Sequence, residues 1–157
     1  MGRMFSVARQ NYAVTTSNDF FTILAPTNAV VVVHSAFLGQ SSDAGDASAE
    51  MIRVNIQRHL ADQSGGGTST PRPHLAGDSA FAGTVEHSNA TSSTNAVLIA
   101  ETFNVQAGWY YTPTPEERIV ISPNSVGATY PRIAFQMSAP ADSLTMNSRV
   151  TFEVLGN

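Results

Sequence analysis

The sequence predicts an all-β fold, a single antiparallel β-sandwich of the jelly-roll kind. Three observations lead there. Apolar and polar residues alternate with a period of two over much of the chain, the repeat of a strand that buries one face. β-branched and aromatic residues gather in short runs bounded by Pro, Gly, Asn and Ser. No segment sustains a helical repeat without also fitting a strand. About eight to ten short strands with turn signals between them argue a sandwich or barrel. Two sheets in which the last strand returns beside the first would make a jelly roll.

Taken in order, Met4–Ala8 and Tyr12–Thr16 read as short strands, and residues 1–16 as an N-terminal arm or an edge strand. Phe20–Ala25 is the next strand, stopped by Pro26 and Asn28. Val30–Val33 opens a buried run that continues through Ala36-Phe37-Leu38. From Ile52 to His59 the chain alternates strictly, with Ile52, Val54 and Ile56 on one face and Arg53, Asn55, Gln57 and His59 on the other. A helix competes, because Ile52, Ile56 and Leu60 also stack at i, i+4, i+8 and Ser48 is a fit cap. Unbroken alternation and β-branching favour the strand. Ala61–Gly77, with three successive glycines and Pro71-Arg72-Pro73, reads as a loop, and so does Ser88–Asn95. Strands resume at Ala96–Phe103 and Val105–Tyr111. Pro113 to Pro115 turns the chain into Ile119–Ile121, and Arg132–Met137 and Arg149–Leu155 complete the domain. Val150, Phe152 and Val154 share a face in the last strand. The whole of residues 1–157 forms one domain, with no internal repeat.

Composition narrows the function. Charged residues make up 13% of the chain, about half of the usual ~25%. Solubility therefore rests on Ser, Thr, Asn and Gln, a surface suited to a chain packed among neighbours. The net charge is −4, and all eight cations are Arg, with no Lys. Those Arg are scattered singly, whereas nucleic-acid binding needs clustered positive charge to displace counterions. A nucleic-acid partner is not expected. No apolar run approaches the ~20 residues of a membrane helix, so no membrane partner is expected either. Met1–Gln10 lacks the apolar stretch of a secretory signal. Absent cysteine rules out disulfides and thiolate metal sites.

No group of residues signals catalysis. Gly77-Asp78-Ser79 is similar to the nucleophile block of some lipase-like hydrolases, but Gly-x-Ser-x-Gly is missing and His87 is the only downstream His. A serine after a turn is the plainer reading. Asp43, Asp46 and Glu50 offer oxygens to an ion such as calcium, yet their spacing misses the EF-hand pattern, and a solvated Asx-turn loop is favoured. His34, His59, His74 and His87 lack metal-ligand spacing. His34, inside an apolar strand, is a candidate pH-sensitive contact. Asn89-Ala90-Thr91 matches the glycosylation pattern by chance. Neither a cofactor nor a metal site is expected.

The candidate functional residues are therefore aromatic. Trp109 and Tyr111 share one strand face and Tyr110 takes the other, so at least one face belongs to the core. The other is available as an interface anchor or a sugar-stacking platform. In Phe20-Phe21, adjacent strand positions point to opposite faces, so one ring is expected to meet a partner chain.

Several stretches resemble a family of short β-rich structural proteins of tailed phages and prophages. They are Phe37-Leu38-Gly39-Gln40-Ser41-Ser42-Asp43, Gly45-Asp46-Ala47, Glu50-Met51-Ile52-Arg53-Val54, Pro71-Arg72-Pro73, Glu101-Thr102-Phe103-Asn104-Val105-Gln106-Ala107-Gly108-Trp109 and Ala139-Pro140-Ala141-Asp142-Ser143-Leu144-Thr145-Met146. They span most of the chain in one order. The resemblance implies a virion structural protein on the capsid surface, a head decoration or cement protein of bacteriophage. Comparable cement proteins are jelly rolls that sit as homotrimers on the head lattice. The implied partners are sister copies and the major capsid protein, and the family lends no catalytic residues. The alternative is a receptor- or carbohydrate-binding domain of a phage tail tip or fibre, using the aromatic patch with the loops Gln63–Thr70 and Ser88–Asn95.

Overall fold

A computed structural model describes residues 2–41, 50–59, 66–90, 95–123, 132–141 and 143–156. Asp43 and Asp46 of the acidic cluster lie outside the described residues, as do Gln63 and Thr91. The described chain is nearly all strand, in two antiparallel sheets of six strands each that enclose one hydrophobic core.

One sheet holds β1 (Arg3–Val14), β3 (Val30–Gln40), β6 (Arg72–Pro73), β9 (Trp109–Tyr111), β10 (Val120–Ile121) and β12 (Leu144–Leu155). Its order is β10-β3-β12-β1-β6, with β9 also paired to β3. The second sheet holds β2 (Asn18–Leu24), β4 (Met51–His59), β5 (Gly67–Ser69), β7 (Thr84–His87), β8 (Asn95–Asn104) and β11 (Arg132–Met137), in the order β5-β7-β2-β11-β4-β8. The pairing is nested. β1 meets β12, β2 meets β11, β3 meets β9 and β10, and β4 meets β8. A long antiparallel ribbon takes this order when it rolls up into two layers.

Alternation accounts for the core. Ile52, Val54 and Ile56 of β4 are buried, as are Val150, Phe152 and Val154 of β12. Five phenylalanines (Phe5, Phe20, Phe21, Phe135 and Phe152) have no exposed surface. Each contributes about 1.5–3 kcal/mol by leaving water. Phe5 stacks on Phe152 with ring centroids 5.8 Å apart, and Phe81 meets the same ring edge-on at 5.0 Å.

Several expectations need correction. The two expected N-terminal strands are one, because the break at Gln10-Asn11 is a β-bulge. Both residues face the single residue Asn147 between the pairs Arg9↔Ser148 and Tyr12↔Met146. Asn11 has φ 50°, a left-handed value that Asn tolerates, and its N–H donates to Asn147 Oδ1 at 2.8 Å. Residues 3–14 are no detached arm. They pair with β12 throughout and meet β6 only at Phe5 and Ser6, near the rim of the sheet. The expected loop Ala61–Gly77 contributes β5 and β6, and β12 starts five residues before the expected Arg149. Val105–Gly108 is a turn rather than strand, and β9 begins at Trp109.

The largest correction concerns Phe20 and Phe21: both are fully buried, so neither is offered to a partner. The cause is a second bulge. Phe21 pairs with Phe135 and Asp19 with Gln136, which leaves Phe20 as an extra residue in β2. The extra residue resets the alternation, so consecutive rings both enter the core. Phe20 lies 5.8 Å from Phe135 and 6.4 Å from Trp109 of the opposite sheet.

Candidate functional site

β9 divides the aromatic triplet cleanly. Trp109 and Tyr111 are buried, stacked with centroids 6.4 Å apart at 12°, and close the core against Phe20. Their polar ends are satisfied: Trp109 Nε1–H donates to Glu101 Oε2 at 2.6 Å, and Tyr111 Oη donates to the Glu117 carbonyl at 3.2 Å. Trp109 thereby ties β9 to β8 across the mouth between the sheets. Tyr110 points the other way and is 62% exposed.

Around Tyr110 the register builds a row across the outer face of the first sheet. Tyr110 pairs with Phe37, Phe37 with Arg149, and Arg149 with Ala8. Cross-strand neighbours on one face lie within side-chain reach, and the Phe37 and Tyr110 rings sit 4.8 Å apart. Gly39 belongs to this surface because the Phe37 ring lies over it. A Cβ there would come 2.7 Å from Phe37 Cζ. The β1 bulge brings Gln10 and Asn11 up beside Asn147. Together these residues line a hollow of about 320 Å³ that also touches Arg9. The Arg9 guanidinium lies 4.0 Å from the centre of the Tyr12 ring and donates to Ser88 Oγ at 2.9 Å.

A second groove, of about 570 Å³, runs on the other side of Tyr110 between β8 and β9, lined by Ile99, Glu101, Tyr111, Pro113 and Glu117. It is acidic where the hollow is basic. Its β8 wall is the terminal strand of the second sheet and pairs on one side only among the described residues. The strand Asn95–Asn104 reads NAVLIAETFN, with Val97 49% and Leu98 44% exposed. It carries one acidic residue, Glu101, and no Lys or Pro, although a bulge at Leu98 interrupts its pairing with β4.

A buried polar cluster sits on β2, β4 and β11, where Thr22, Ala134 and Gln57 form one cross-strand row and Asp19, Gln136 and Asn55 the next. Asp19, Gln57 and His59 have no exposed surface. Asp19 Oδ2 lies 3.2 Å from His59 Nε2 and accepts from the Thr22 hydroxyl at 3.4 Å. Burial pushes the Asp19 carboxyl up to about 7, against the opposing hydrogen bonds from Thr22 and Gln136. Burial first, and Arg132 second, hold the His59 imidazole below its ordinary range. Both effects favour the uncharged pair, with the proton on Asp19 and His59 Nε2 accepting it. Sequence reasoning missed the pair, because His59 reads as a surface residue on the polar face of its strand. Enclosed on all sides, it suits pH-dependent stability rather than turnover.

The remaining candidates do not converge. His34 is exposed enough to meet Glu153 at 3.2 Å, His74 bonds Ser6 at 2.6 Å, and His87 bonds Ser69 at 2.8 Å. Ser79 accepts from Arg3 rather than from a histidine. Glu50 accepts from the Ala141 N–H at 2.6 Å. Asn89 is buried and donates to Glu86, which makes it unfit as a sugar acceptor. Among the described residues, no three His, Asp or Glu side chains gather as metal ligands would.

Compared with known protein families, curated proteins and solved structures, the chain matches none.

Proposed function

We propose that this chain is a structural protein of a tailed-phage particle, a head decoration or cement protein that works by contact and not by catalysis. The observation that carries the reading is β8. A ten-residue edge strand with exposed Val97 and Leu98 and no Lys or Pro lacks the usual protection of a free edge. From Val97 to Thr102 its outward N–H and C=O groups meet no further strand among the described residues and fit another extended strand, and Glu101 and the bulge at Leu98 are its blunting devices. The nested strand order supports reading the sandwich as a jelly roll. Sister copies in a homotrimer cover the edge, and the major capsid protein receives the assembled face. In a trimer such contacts are heterologous and close by rotation.

Two measurements test this. Cryo-electron microscopy of intact particles is expected to find the chain on the capsid surface, and light scattering of the purified chain is expected to give a trimer mass. Val97→Lys with Leu98→Lys is expected to yield a folded monomer that no longer decorates particles. A monomeric wild type that is also missing from particles would overturn the proposal.

A second reading, a receptor- or carbohydrate-binding domain of a tail tip or fibre, has one observation in its favour. Tyr110 presents an exposed ring beside Arg149, Asn147 and Asn11 in the hollow on the first sheet.

A further inference from the structure

We infer that the hollow beside Tyr110 is a binding site for a carboxylate-bearing saccharide; the inference rests on the carbohydrate-binding reading and deepens it by naming the ligand class. Charge is the first ground. The whole chain carries −4, yet the residues lining the hollow include Arg149 and Arg9 and no Asp or Glu. Arg9 is partly engaged with Tyr12 and Ser88. Arg149 is exposed on the outer face of β12, directly across from Phe37. Its planar fork matches a carboxylate in a two-point contact.

The wall opposite supplies the rest. Tyr110 and Phe37 form a tilted ring pair 4.8 Å apart at 43°, and Phe37 lies over Gly39 because Gly39 has no side chain to displace it. The negative face of an exposed ring attracts the polarised C–H hydrogens of a pyranose. In the neighbouring row, beside Phe37 and Arg149, the hollow is lined by Gln10, Asn11 and Asn147, whose amide donors and acceptors suit vicinal hydroxyls. Asn147 is held in place by accepting the Asn11 N–H at 2.8 Å, so part of the polar wall is fixed before a ligand arrives. A volume of about 320 Å³ lies at the lower end of the roughly 300–1,000 Å³ typical of small-molecule sites. That admits a short saccharide and no more.

The experiment is an NMR titration of the full chain with three probes: a glucuronic-acid-terminated disaccharide, its neutral glucose counterpart, and glutarate. The acidic disaccharide is expected to shift the amide signals of Phe37, Tyr110, Asn147 and Arg149 and to bind about tenfold more tightly than the other two. Arg149→Gln is expected to erase the preference for the acidic sugar, and Tyr110→Ala to weaken both sugars. Both residues are exposed, and urea unfolding checks that the variants keep the fold. Equal binding of the neutral sugar would overturn the acidic specificity while leaving carbohydrate binding intact. Equal binding of glutarate would reduce the hollow to an anion site. The absence of any sugar-induced shift would overturn the inference and the reading beneath it, and leave the decoration role untouched.

Discussion

Replacing Asp19 by asparagine is expected to stabilise the protein at alkaline pH and to do little at pH 4. The carboxyl has an ordinary value of 3.8, which burial raises to about 7 in the folded chain. A raised acid favours folding fully below 3.8, and that advantage is lost as pH rises through 7. At ~1.36 kcal/mol per unit, the loss is at most about 4 kcal/mol, a large part of the 5–15 kcal/mol typical of a domain. His59 acts in the opposite sense. Its lowered value means stability is present above the ordinary 6.5 and is lost as pH falls below it. Just below 6.5 the two slopes oppose each other, and the pH dependence of the wild type is expected to be flattened there.

The amide introduced by Asp19→Asn imitates the protonated acid: with Nδ2 in the place of Oδ2 it donates to His59 Nε2 and to the Thr22 hydroxyl oxygen, and it carries no charge at any pH. Urea unfolding of the wild type and Asp19→Asn at intervals from pH 4 to 9 gives the difference directly. The variant is expected to gain on the wild type as pH rises from about 4 to 7 and to level off above that, by several kcal/mol at the limit of about 4. His59→Gln removes the opposing slope, so that variant is expected to lose stability steadily from pH 4 to 8. A constant gap between Asp19→Asn and the wild type, or one that narrows with pH, would refute the assignment of the proton to Asp19.

Other substitutions separate the core from the surface. Phe20→Ala is expected to cost about 3–5 kcal/mol in urea melts, as a fully buried ring should, and to leave the oligomeric mass of the folded fraction unchanged. Trp109→Ala is expected to cost a similar ~3–5 kcal/mol, because it empties the core beside Phe20 and strips Glu101 of its indole partner. Tyr110→Ala, its neighbour in sequence, is expected to stay within about 0.5 kcal/mol of the wild type by the same measurement. Gly39→Ala is expected to cost about 1 kcal/mol and to swing the Phe37 ring off Tyr110, which a change in their aromatic NMR shifts would report.

The fold was legible because its signal repeats. Ile52-Val54-Ile56 and Val150-Phe152-Val154 state their inward face three times each, and the structure buries all six. β5 and β6, of three and two residues, were not legible: two or three residues cannot display a period, and their composition of Gly, Ser, Thr and Pro is that of a loop. The aromatic triplet was half legible. Alternation correctly opposes Tyr110 to Trp109 and Tyr111, but which face is wet depends on β9 pairing with β3, a contact between residues some 70 positions apart in the chain. Asp19 and His59 lie further out of reach, since nothing local to either residue announces the other.

The errors of facing share one physical cause, and it also locates the surfaces of interest. Period-two reasoning assumes an unbroken ladder, and among the described residues four bulges break it, at Gln10-Asn11, Phe20, His34 and Leu98. Each inserts one residue that the partner strand does not match, so the inward set shifts by one position. At Phe20 the shift draws a second ring into the core. At His34 it separates Val31 and Val33 from Ala36 and Leu38, both pairs inward, and leaves the imidazole facing Glu153. At Gln10-Asn11 it lifts amides onto the outer face beside Arg149, and at Leu98 it turns an apolar residue outward on a free edge. Two of these four places are the core and the His34–Glu153 contact; the other two are the hollow beside Tyr110 and the exposed stretch of β8. A bulge costs ladder hydrogen bonds, and at β1 the domain itself makes up part of the cost, since the Asn11 N–H donates to Asn147 Oδ1 at 2.8 Å. Because Gln10 and Asn11 line the hollow only through this bulge, deleting Gln10 is expected to abolish the hollow while leaving the β1–β12 ladder more regular.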